Sequence, residues 1–328
     1  MAEDLLFLSR ADVEQAVSVA EAIPLVRAAF IQLSSGAACV PLRTKIEVAA
    51  NAGTVLYMPV HLPASEILAV KVVSLFAHNP ALGLPLIHAL VLVNDARTGR
   101  ALAVMDGERL TAVRTGAAAG LATDLLARRD ATVAAVFGAG IQGRTQLEAI
   151  HAVRPLRRAW VLDPDPARSA VFCADMSARL AIDVRPAPSP AVLREAHVVS
   201  TVTTSPTPVF APGDLAPGVH LNAVGAYKPT EREIPGETVR AAKVVVDQRA
   251  ACLAEAGDLV IPLAEGLFGP DHLYAELGEI AAGQRPGRAN DTETTLFKSV
   301  GNAVQDAAVA ARVLARAQEL GLGTRLGL

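Results

Sequence analysis

Apolar residues recur at helical intervals near the start of the chain, from Val13 to about Leu33. Ser9 precedes Asp12 by three positions, which is the spacing of a capping box at the start of a helix. Together the two signals predict one helix over residues 10–34.

After this helix the pattern changes to apolar runs bounded by Gly, Pro or Asn, as expected of strands. The runs are VPLRTKIEVAA, GTVLYMPVHL, ILAVKVVSLFA and PLIHALVLVND. The segment DARTG then predicts a hairpin turn to a further strand, RALAVMD. These elements predict a meander of largely antiparallel strands.

From Asp106 the pattern becomes helical again, over GERLTAVRTGAAAGLATDLLA. Short apolar strands then alternate with helical segments, a pattern typical of a doubly wound parallel sheet. The segments are VAAVF, a helix over 141–153, AWVLD, a helix over 166–180, IDVRPA, a short helix near 190–195, HVVSTV, HLNAVG and KVVVD. A last helix, SVGNAVQDAAVAARVLARAQEL, lies beyond the sheet and is expected to fold back onto the N-terminal part.

Composition narrows the class of protein. A chain of 328 residues, 52% hydrophobic and 19% charged, suggests a globular enzyme of two domains. A net charge of −3 without a basic stripe gives no reason to expect a nucleic acid or a membrane as partner. The N-terminal segment is neither basic nor apolar over a long stretch, so we expect a cytoplasmic protein. The histidines and cysteines show no metal-binding spacing, so we expect no metal site.

The stretch VAAVFGAGIQGRTQLEAI carries the motif GxGxxG between a predicted strand and a predicted helix. Gly138 would permit the tight turn, Gly140 would let backbone amides approach a pyrophosphate, and Gly143 would allow helix and strand to pack. The start of the helix favours phosphate charge. This arrangement predicts a dinucleotide site, and the alternative is a packing turn in an α/β core.

The type of dinucleotide depends on Asp163, which ends the next strand twenty-five residues after Gly138. Its carboxylate would accept hydrogen bonds from the adenosine ribose hydroxyls and repel a 2′-phosphate, which favours NAD(H). Arg144 and Arg168 are close enough in sequence to leave NADP(H) open as the cofactor.

Several cations lie within apolar segments ahead of the glycine motif. Arg43 and Lys45 belong to VPLRTKIEV, Lys71 to LAVKVVSLF, and Arg114 to an Ala-rich helix. A buried cation needs a carboxylate or a ligand as partner, so the group suggests an anion site. The alternative is that these are solvated positions on half-exposed strands.

At this point the sequence resembles the ornithine cyclodeaminase and mu-crystallin family over nearly its whole length. The resemblance rests on PLRTK, AVKVVSLFAHNP, MDGERLTAVRTGAAAGLA, VFGAGIQGRTQLEA, HLNAVGAYKPTEREI and TLFKSVGNAVQD. It implies a homodimer with a Rossmann domain, residues 116–301, inserted into an α+β substrate-binding and dimerisation domain, residues 1–115 and 302–328.

The resemblance also implies roles for individual residues. Arg43, Lys71 and Arg114 match the family's ligands for the substrate carboxylate, and arginine suits that role because its planar fork binds carboxylates bidentately. The residues expected at the cofactor are Thr115, Gly138, Ala139, Gly140, Ile141, Gln142, Gly143, Asp163, Val224 and Gly301.

One position separates the family's branches. Cyclodeaminases and related archaeal alanine dehydrogenases carry an aspartate after NAVG, where this chain has Tyr227. A tyrosine cannot replace a carboxylate as base or counter-ion at neutral pH. The segment GAYKPTERE is more similar to the ketimine-reductase branch, which includes mu-crystallin. Within that segment, residues 231–233 (Glu, Arg, Glu) are expected to be a solvated surface pattern or a helix start, and the alternative is contact with the cofactor or the partner subunit.

The expected activity is therefore reduction of a cyclic ketimine carboxylate, Δ1-pyrroline-2-carboxylate or Δ1-piperideine-2-carboxylate, by NAD(P)H. Lys71 is the candidate to donate or relay the proton that the imine nitrogen gains, and water is the alternative. Two other functions stay open: an NAD-dependent cyclodeaminase or amino-acid dehydrogenase, and a binding protein without efficient turnover.

Overall fold

A computed structural model describes residues 4–327, and the chain forms two compact units. The first unit combines both ends of the chain, Met1–Arg114 and Asn302–Leu328. The second unit is the continuous middle segment, Thr115–Gly301.

The described residues contain fifteen strands and ten α-helices. The strands are β1 (Asp4–Leu8), β2 (Thr44–Val48), β3 (Gly53–Leu62), β4 (Ile67–Phe76), β5 (Ile87–Asp95), β6 (Ala101–Asp106), β7 (Val133–Phe137), β8 (Arg158–Leu162), β9 (Asp183–Pro186), β10 (Val198–Thr201), β11 (His220–Ala223), β12 (Lys243–Val246), β13 (Leu273–Glu276), β14 (Thr295–Lys298) and β15 (Thr324–Gly327). The helices are α1 (Arg10–Ala16), α2 (Val19–Ser34), α3 (Gly107–Leu126), α4 (Ile141–Val153), α5 (Pro166–Leu180), α6 (Gly236–Ala241), α7 (Arg249–Glu255), α8 (Gly257–Ala264), α9 (Leu277–Ala281) and α10 (Ala303–Leu320).

The first unit is built on a seven-stranded sheet in the order β15-β1-β6-β5-β4-β3-β2. The pair β1 and β6 is parallel, and every other neighbouring pair is antiparallel, which confirms the predicted meander from β2 to β6. Helix α10 packs on α2 and across β3, β4 and β5, as expected of a last helix that folds back onto the N-terminal part. The sheet therefore has one face covered by α10.

The single helix predicted over 10–34 is wrong, because the segment forms two helices bent by 82°. The capping box at Ser9 is present, but a second capping box follows, in which Ser18 accepts from the backbone of Glu21 and the Glu21 carboxylate accepts from that of Ser18. Val17 is extended rather than helical. The second capping box was visible in the sequence as the same three-residue spacing.

The second unit is built on an eight-stranded parallel sheet in the order β13-β12-β14-β11-β10-β7-β8-β9. The chain runs from β7 outwards to β8 and β9, and then returns to β10 on the other side of β7. The carboxyl ends of β7 and β10 therefore form the topological switch point at which doubly wound sheets bind ligands. This is a Rossmann-type domain, as predicted, accompanied by a second domain. Strands β13 and β14 were not predicted.

Among residues 4–327, no single helix has both the length and the apolar character needed to cross a bilayer. The bent pair α1 and α2, taken together, meets the length and composition.

Candidate functional site

The turn between β7 and α4 depends on two glycines. Gly138 has a φ of +103°, and a Cβ there would lie 2.8 Å from the carbonyl oxygen of Val202. A Cβ on Gly143 would lie 2.2 Å from the carbonyl oxygen of Gly138. Neither position has room for a side chain, so the sequence at both is set by the backbone geometry of the turn.

Gly140 differs from its neighbours because the space beside it is open. A Cβ there would meet no heavy atom within 4 Å, and its φ is −86°. Gly140 is also the N-cap of α4 and provides no side-chain hydrogen bond to the first turn of the helix. Nearby, Oε1 of Gln142 is buried without a hydrogen-bond partner among the described residues. An open helix N-terminus suits a dinucleotide pyrophosphate.

The carboxylate of Asp163 lies beside this turn, at the carboxyl end of β8. Its Oδ2 accepts from the backbone N–H of Ala139 at 2.8 Å, and its Oδ1 accepts from that of Asp165 at 2.9 Å. Burial acts to raise the pKa of Asp163, but hydrogen bonds from Arg168 and the two backbone amides outweigh burial and lower it. Asp163 is therefore a fixed negative charge beside the glycine turn.

The two arginines that left the cofactor type open are both held by carboxylates. Arg168 donates to Asp163 from Nη2 at 2.6 Å, with 52% of its side chain exposed. Arg144 donates from Nε to Asp175 at 2.9 Å and lies over the ring of Phe172, 5.0 Å from its centroid. Neither guanidinium stands alone as a 2′-phosphate ligand.

The other residues expected at the cofactor belong to the second unit. Val224, whose N–H donates to the carbonyl of Thr201, follows β11. Gly301, with a φ of +82°, follows β14. The remaining four are Thr115 on α3, Ala139 in the glycine turn, and Ile141 and Gln142 at the start of α4. All except Thr115 therefore follow the carboxyl end of a strand of the parallel sheet.

Asp247 holds the turn at Gly301, a contact that the sequence did not reveal. Its buried Oδ2 accepts from Oγ of Ser299 at 2.7 Å and from the N–H groups of Val300 and Gly301, each at 2.9 Å. Three donors on one oxygen fix the backbone where the chain leaves β14.

In the first unit, two predicted substrate ligands meet on the covered face of the sheet. Lys71 on β4 is 3% exposed and Arg114 on α3 is 6% exposed. Both contact Asp306 of α10: Nζ of Lys71 lies 3.0 Å from Oδ1, and Nε of Arg114 also lies 3.0 Å from it. Arg114 further donates to Oε1 of Gln305. Among the described residues, two buried cations thus share one carboxylate.

The pKa of Lys71 reflects this crowding of charge. Burial, and then the positive charge of Arg114, lower it to about 8, while Asp306 opposes the shift. Arg43, half-buried ahead of β2, also lowers it through its charge. Lys45 is different, because it is exposed and paired with Glu47 on the same strand. The cluster therefore comprises Lys71, Arg114 and Asp306, with Arg43 close enough to act on it.

The expectation that residues 231–233 form a solvated pattern is wrong for Glu233, which is fully buried. Arg232 pairs with Glu265 at 2.9 Å. Burial and the charge of Asp258 raise the pKa of Glu233. Tyr227, which lies ahead of these residues between β11 and α6, packs against the apolar core of the second unit, with Nζ of Lys228 5.8 Å from its ring centroid.

The comparison with known proteins covers the whole chain. A Δ(1)-pyrroline-2-carboxylate reductase of Bacillus cereus is 36% identical over 98% of this chain and 99% of its own. The Thermococcus litoralis enzyme of that name, solved with NADH and L-proline, superposes with a TM-score of 0.95 at 45% identity, over 98% of this chain and all of that one. An archaeal alanine dehydrogenase dimer with bound NAD superposes with a TM-score of 0.93 at 33% identity, over 99% of both chains.

A family profile agrees with these relatives. The profile described as the ornithine cyclodeaminase/mu-crystallin family matches residues 3–321. The resemblance drawn from the separated motifs is therefore confirmed. This chain belongs to the ornithine cyclodeaminase/mu-crystallin family.

Proposed function

We propose that this protein reduces a cyclic ketimine carboxylate, Δ1-pyrroline-2-carboxylate or Δ1-piperideine-2-carboxylate, to proline or pipecolate with a reduced nicotinamide cofactor. The observation that carries the proposal is the pair of buried cations, Lys71 and Arg114, which share the single carboxylate of Asp306. A cluster with excess buried positive charge is suited to an anionic ligand. Whole-chain likeness to pyrroline-2-carboxylate reductases supports the choice of substrate.

The substrate carboxylate would be held by Arg114 and Lys71, with Arg43 adding positive charge. Among residues 4–327, Arg114 donates from Nε to Asp306 and from Nη1 to Gln305 but makes no hydrogen bond from Nη2, which could therefore meet a ligand. Holding the carboxylate fixes the position of the adjacent imine carbon, which is where reduction occurs. Positioning and charge complementarity would then supply most of the rate enhancement.

The cofactor would be held by the turn at Gly138–Gly143, by Asp163, and by the segments after β11 and β14. When bound, the nicotinamide supplies hydride to the imine carbon. Asp163 is a lowered-pKa carboxylate beside the turn, so it would repel a 2′-phosphate. We therefore propose NADH in preference to NADPH.

Lys71 would supply the proton that the imine nitrogen gains. Its pKa of about 8 keeps the ammonium protonated at neutral pH and close enough to neutrality to give up the proton. Asp306, in contact with the same ammonium, would stabilise the protonated form before transfer.

The alternative activities differ at Tyr227. A cyclodeaminase or amino-acid dehydrogenase of this family would need the carboxylate that Tyr227 replaces. A binding protein without turnover would have no use for a buried, charge-rich cluster around Lys71. The reductase is therefore the function that the residues favour.

The test is oxidation of NADH by the purified protein with each of the two imines, repeated with NADPH. We expect oxidation with at least one imine, and faster oxidation with NADH. Arg114→Ala should abolish turnover while NADH affinity stays within about twofold of wild type, because Arg114 belongs to the carboxylate cluster. Ammonia release from ornithine or lysine with NAD⁺, without imine reduction, would contradict the proposal.

We further propose that the protein works as a homodimer in the cytoplasm, where its soluble cofactor is available. Support for the dimer comes from the archaeal relative solved as a dimer and from the apolar outer face of the first sheet. On that face Tyr57, Leu68 and Leu90 are 39%, 38% and 51% exposed. Monomeric proteins rarely leave a broad apolar surface open to water.

A further inference from the structure

Glu233 lies at the carboxyl ends of β10 and β11, where its carboxylate holds two backbone segments together. Oε1 accepts from the N–H and the Oγ1 of Thr203, each at 2.7 Å. Oε2 accepts from the N–H of Ala226 at 3.1 Å and from Oγ1 of Thr201 at 3.0 Å. The carboxylate thereby links the segment after β10 to the segment after β11.

The two backbone amides can only donate and the two hydroxyls can also donate, so an ionised Glu233 carboxylate can accept from all four groups. Its charge is part of a buried set. Oδ1 of Asp258 accepts from the N–H groups of Glu233 and Ile234, and Oδ2 accepts from Nζ of the fully buried Lys298 at 2.7 Å. Lys298 also donates to the carbonyl of Ala226. Asp258 thus holds the backbone of the loop at Glu233 and Ile234, and Lys298 holds it at Ala226.

Gly225, within the same loop, has no room for a side chain. A Cβ there would lie 2.4 Å from Oε2 of Glu233. The close approach of the loop to the carboxylate therefore explains why glycine follows Val224. Glu233 and the loop form one packed arrangement rather than a surface contact.

The order of strands indicates which half of the cofactor these segments would meet. Asp163 follows β8, on one side of the glycine turn, and that side belongs to the adenosine. Strands β10 and β11 lie on the other side of β7. The segments that Glu233 joins therefore lie on the nicotinamide side of the switch point.

We propose that Glu233 is a positioning residue that shapes the nicotinamide half of the cofactor site, through Thr201–Thr203 and Val224–Ala226. The inference rests on the nicotinamide cofactor of the proposed function. Glu233 itself does not contact the cofactor. It holds two backbone segments, and the spacing between these segments determines how tightly the nicotinamide and its ribose bind.

Glu233→Gln tests this with little change of size. Each carboxylate oxygen faces one backbone amide, that of Thr203 or that of Ala226. Whichever way the glutamine side chain is turned, its NH₂ group opposes one of the two amides. One buried donor is then left without an acceptor, and the two segments must separate.

The measurement is the dissociation constant of NADH and, separately, that of ADP-ribose, which lacks the nicotinamide. We expect Glu233→Gln to weaken NADH binding about tenfold, because the displaced segments would no longer fit the nicotinamide and its ribose, with ADP-ribose affinity within about twofold of wild type. Glu293→Gln is the matched control. Glu293 lies ahead of β14, and its carboxylate likewise accepts from a backbone N–H, that of Ala289, and pairs with Lys243. This variant should leave both constants unchanged.

A milder variant guards against loss of the fold. Thr201→Val removes one hydroxyl donor to Glu233 and keeps both backbone amides, and it should weaken NADH binding selectively but less. If Glu233→Gln weakens the binding of NADH and ADP-ribose equally, or changes neither dissociation constant, the positioning role is overturned. A wild-type protein that binds no NADH would also overturn it. If wild type binds NADH but reduces neither imine, the proposed function fails while the role of Glu233 stands.

Discussion

A single carboxylate, that of Asp306, is shared by both buried cations of the first unit. Asp306 favours the ammonium form of Lys71, whose pKa is about 8. Because Lys71 is protonated below that pH and neutral above it, kcat/KM for the imine should fall as the pH rises through about 8. In Asp306→Asn this fall should move to lower pH, since the opposing charge is gone. The pH profiles of both proteins check the prediction.

The control is Asp95→Asn, which changes the same chemical group on an exposed turn of the same unit. Its profile should match that of wild type. A fall in rate caused by titration of the substrate itself would occur at one pH in all three proteins, so identical profiles would contradict the role of Lys71.

Asp306→Asn should also lower the free energy of unfolding by about 3 kcal/mol, because it leaves buried cations uncompensated.

The chemistry of individual residues was only partly predictable. Lys71 and Arg114 were identifiable because a cation within an apolar segment needs a partner. Their partner was not, since Asp306 is 235 positions from Lys71 and its helix shows an ordinary amphipathic pattern. The burial of Glu233 was unpredictable for the same reason. A charged triplet indicates an exposed surface, and the contacts of Glu233 with Asp258 and Thr203 are long-range.

At the scale of elements, substitutions in the glycine turn distinguish effects on folding from effects on cofactor binding. Gly140→Ala places a methyl group in open space at a φ of −86°, so the variant should unfold at the temperature of wild type. It should nevertheless lose at least about tenfold in NADH affinity, because the methyl occupies the space where the pyrophosphate would approach. Thermal unfolding and NADH titration measure the two effects.

Gly143→Ala is the contrasting variant. Its methyl group would lie 2.2 Å from the carbonyl oxygen of Gly138, so it should lower both the unfolding temperature and the affinity. Overpacking of this kind costs about 1–3 kcal/mol. Full NADH affinity in Gly140→Ala would mean that the motif is a packing turn and that the cofactor binds elsewhere.

Some elements were predictable from the local pattern alone. The helices over 141–153 and 166–180 match α4 and α5, since each has a full amphipathic repeat. Strand β14 was missed because TLFK is four residues long and fully buried, with no alternation to read. It becomes a strand through long-range pairing with β11 and β12, which no local pattern reveals.

At the scale of the whole molecule, the outer face of the first sheet carries the remaining prediction. Tyr57 on β3 pairs with Val72 on β4, which pairs with Leu90 on β5, so the three form one row across the sheet. Pro59, Val70 and Leu92 form the next row. These rows lie on the face opposite Lys71, since residues alternate between faces along a strand. An apolar face of this breadth is expected to be covered by a second copy of the chain.

Leu90→Lys should therefore convert a dimer into a monomer, as measured by sedimentation velocity or by light scattering after size-exclusion chromatography. A charge placed in this row is costly to bury between two copies, while in a separated chain it lies in water. Val171→Lys is the control, because Val171 is an apolar residue on α5, 64% exposed and outside this sheet, so its replacement should leave the dimer intact. A wild type that is monomeric at micromolar concentration, or a dimeric Leu90→Lys, would show that this face does not form the interface.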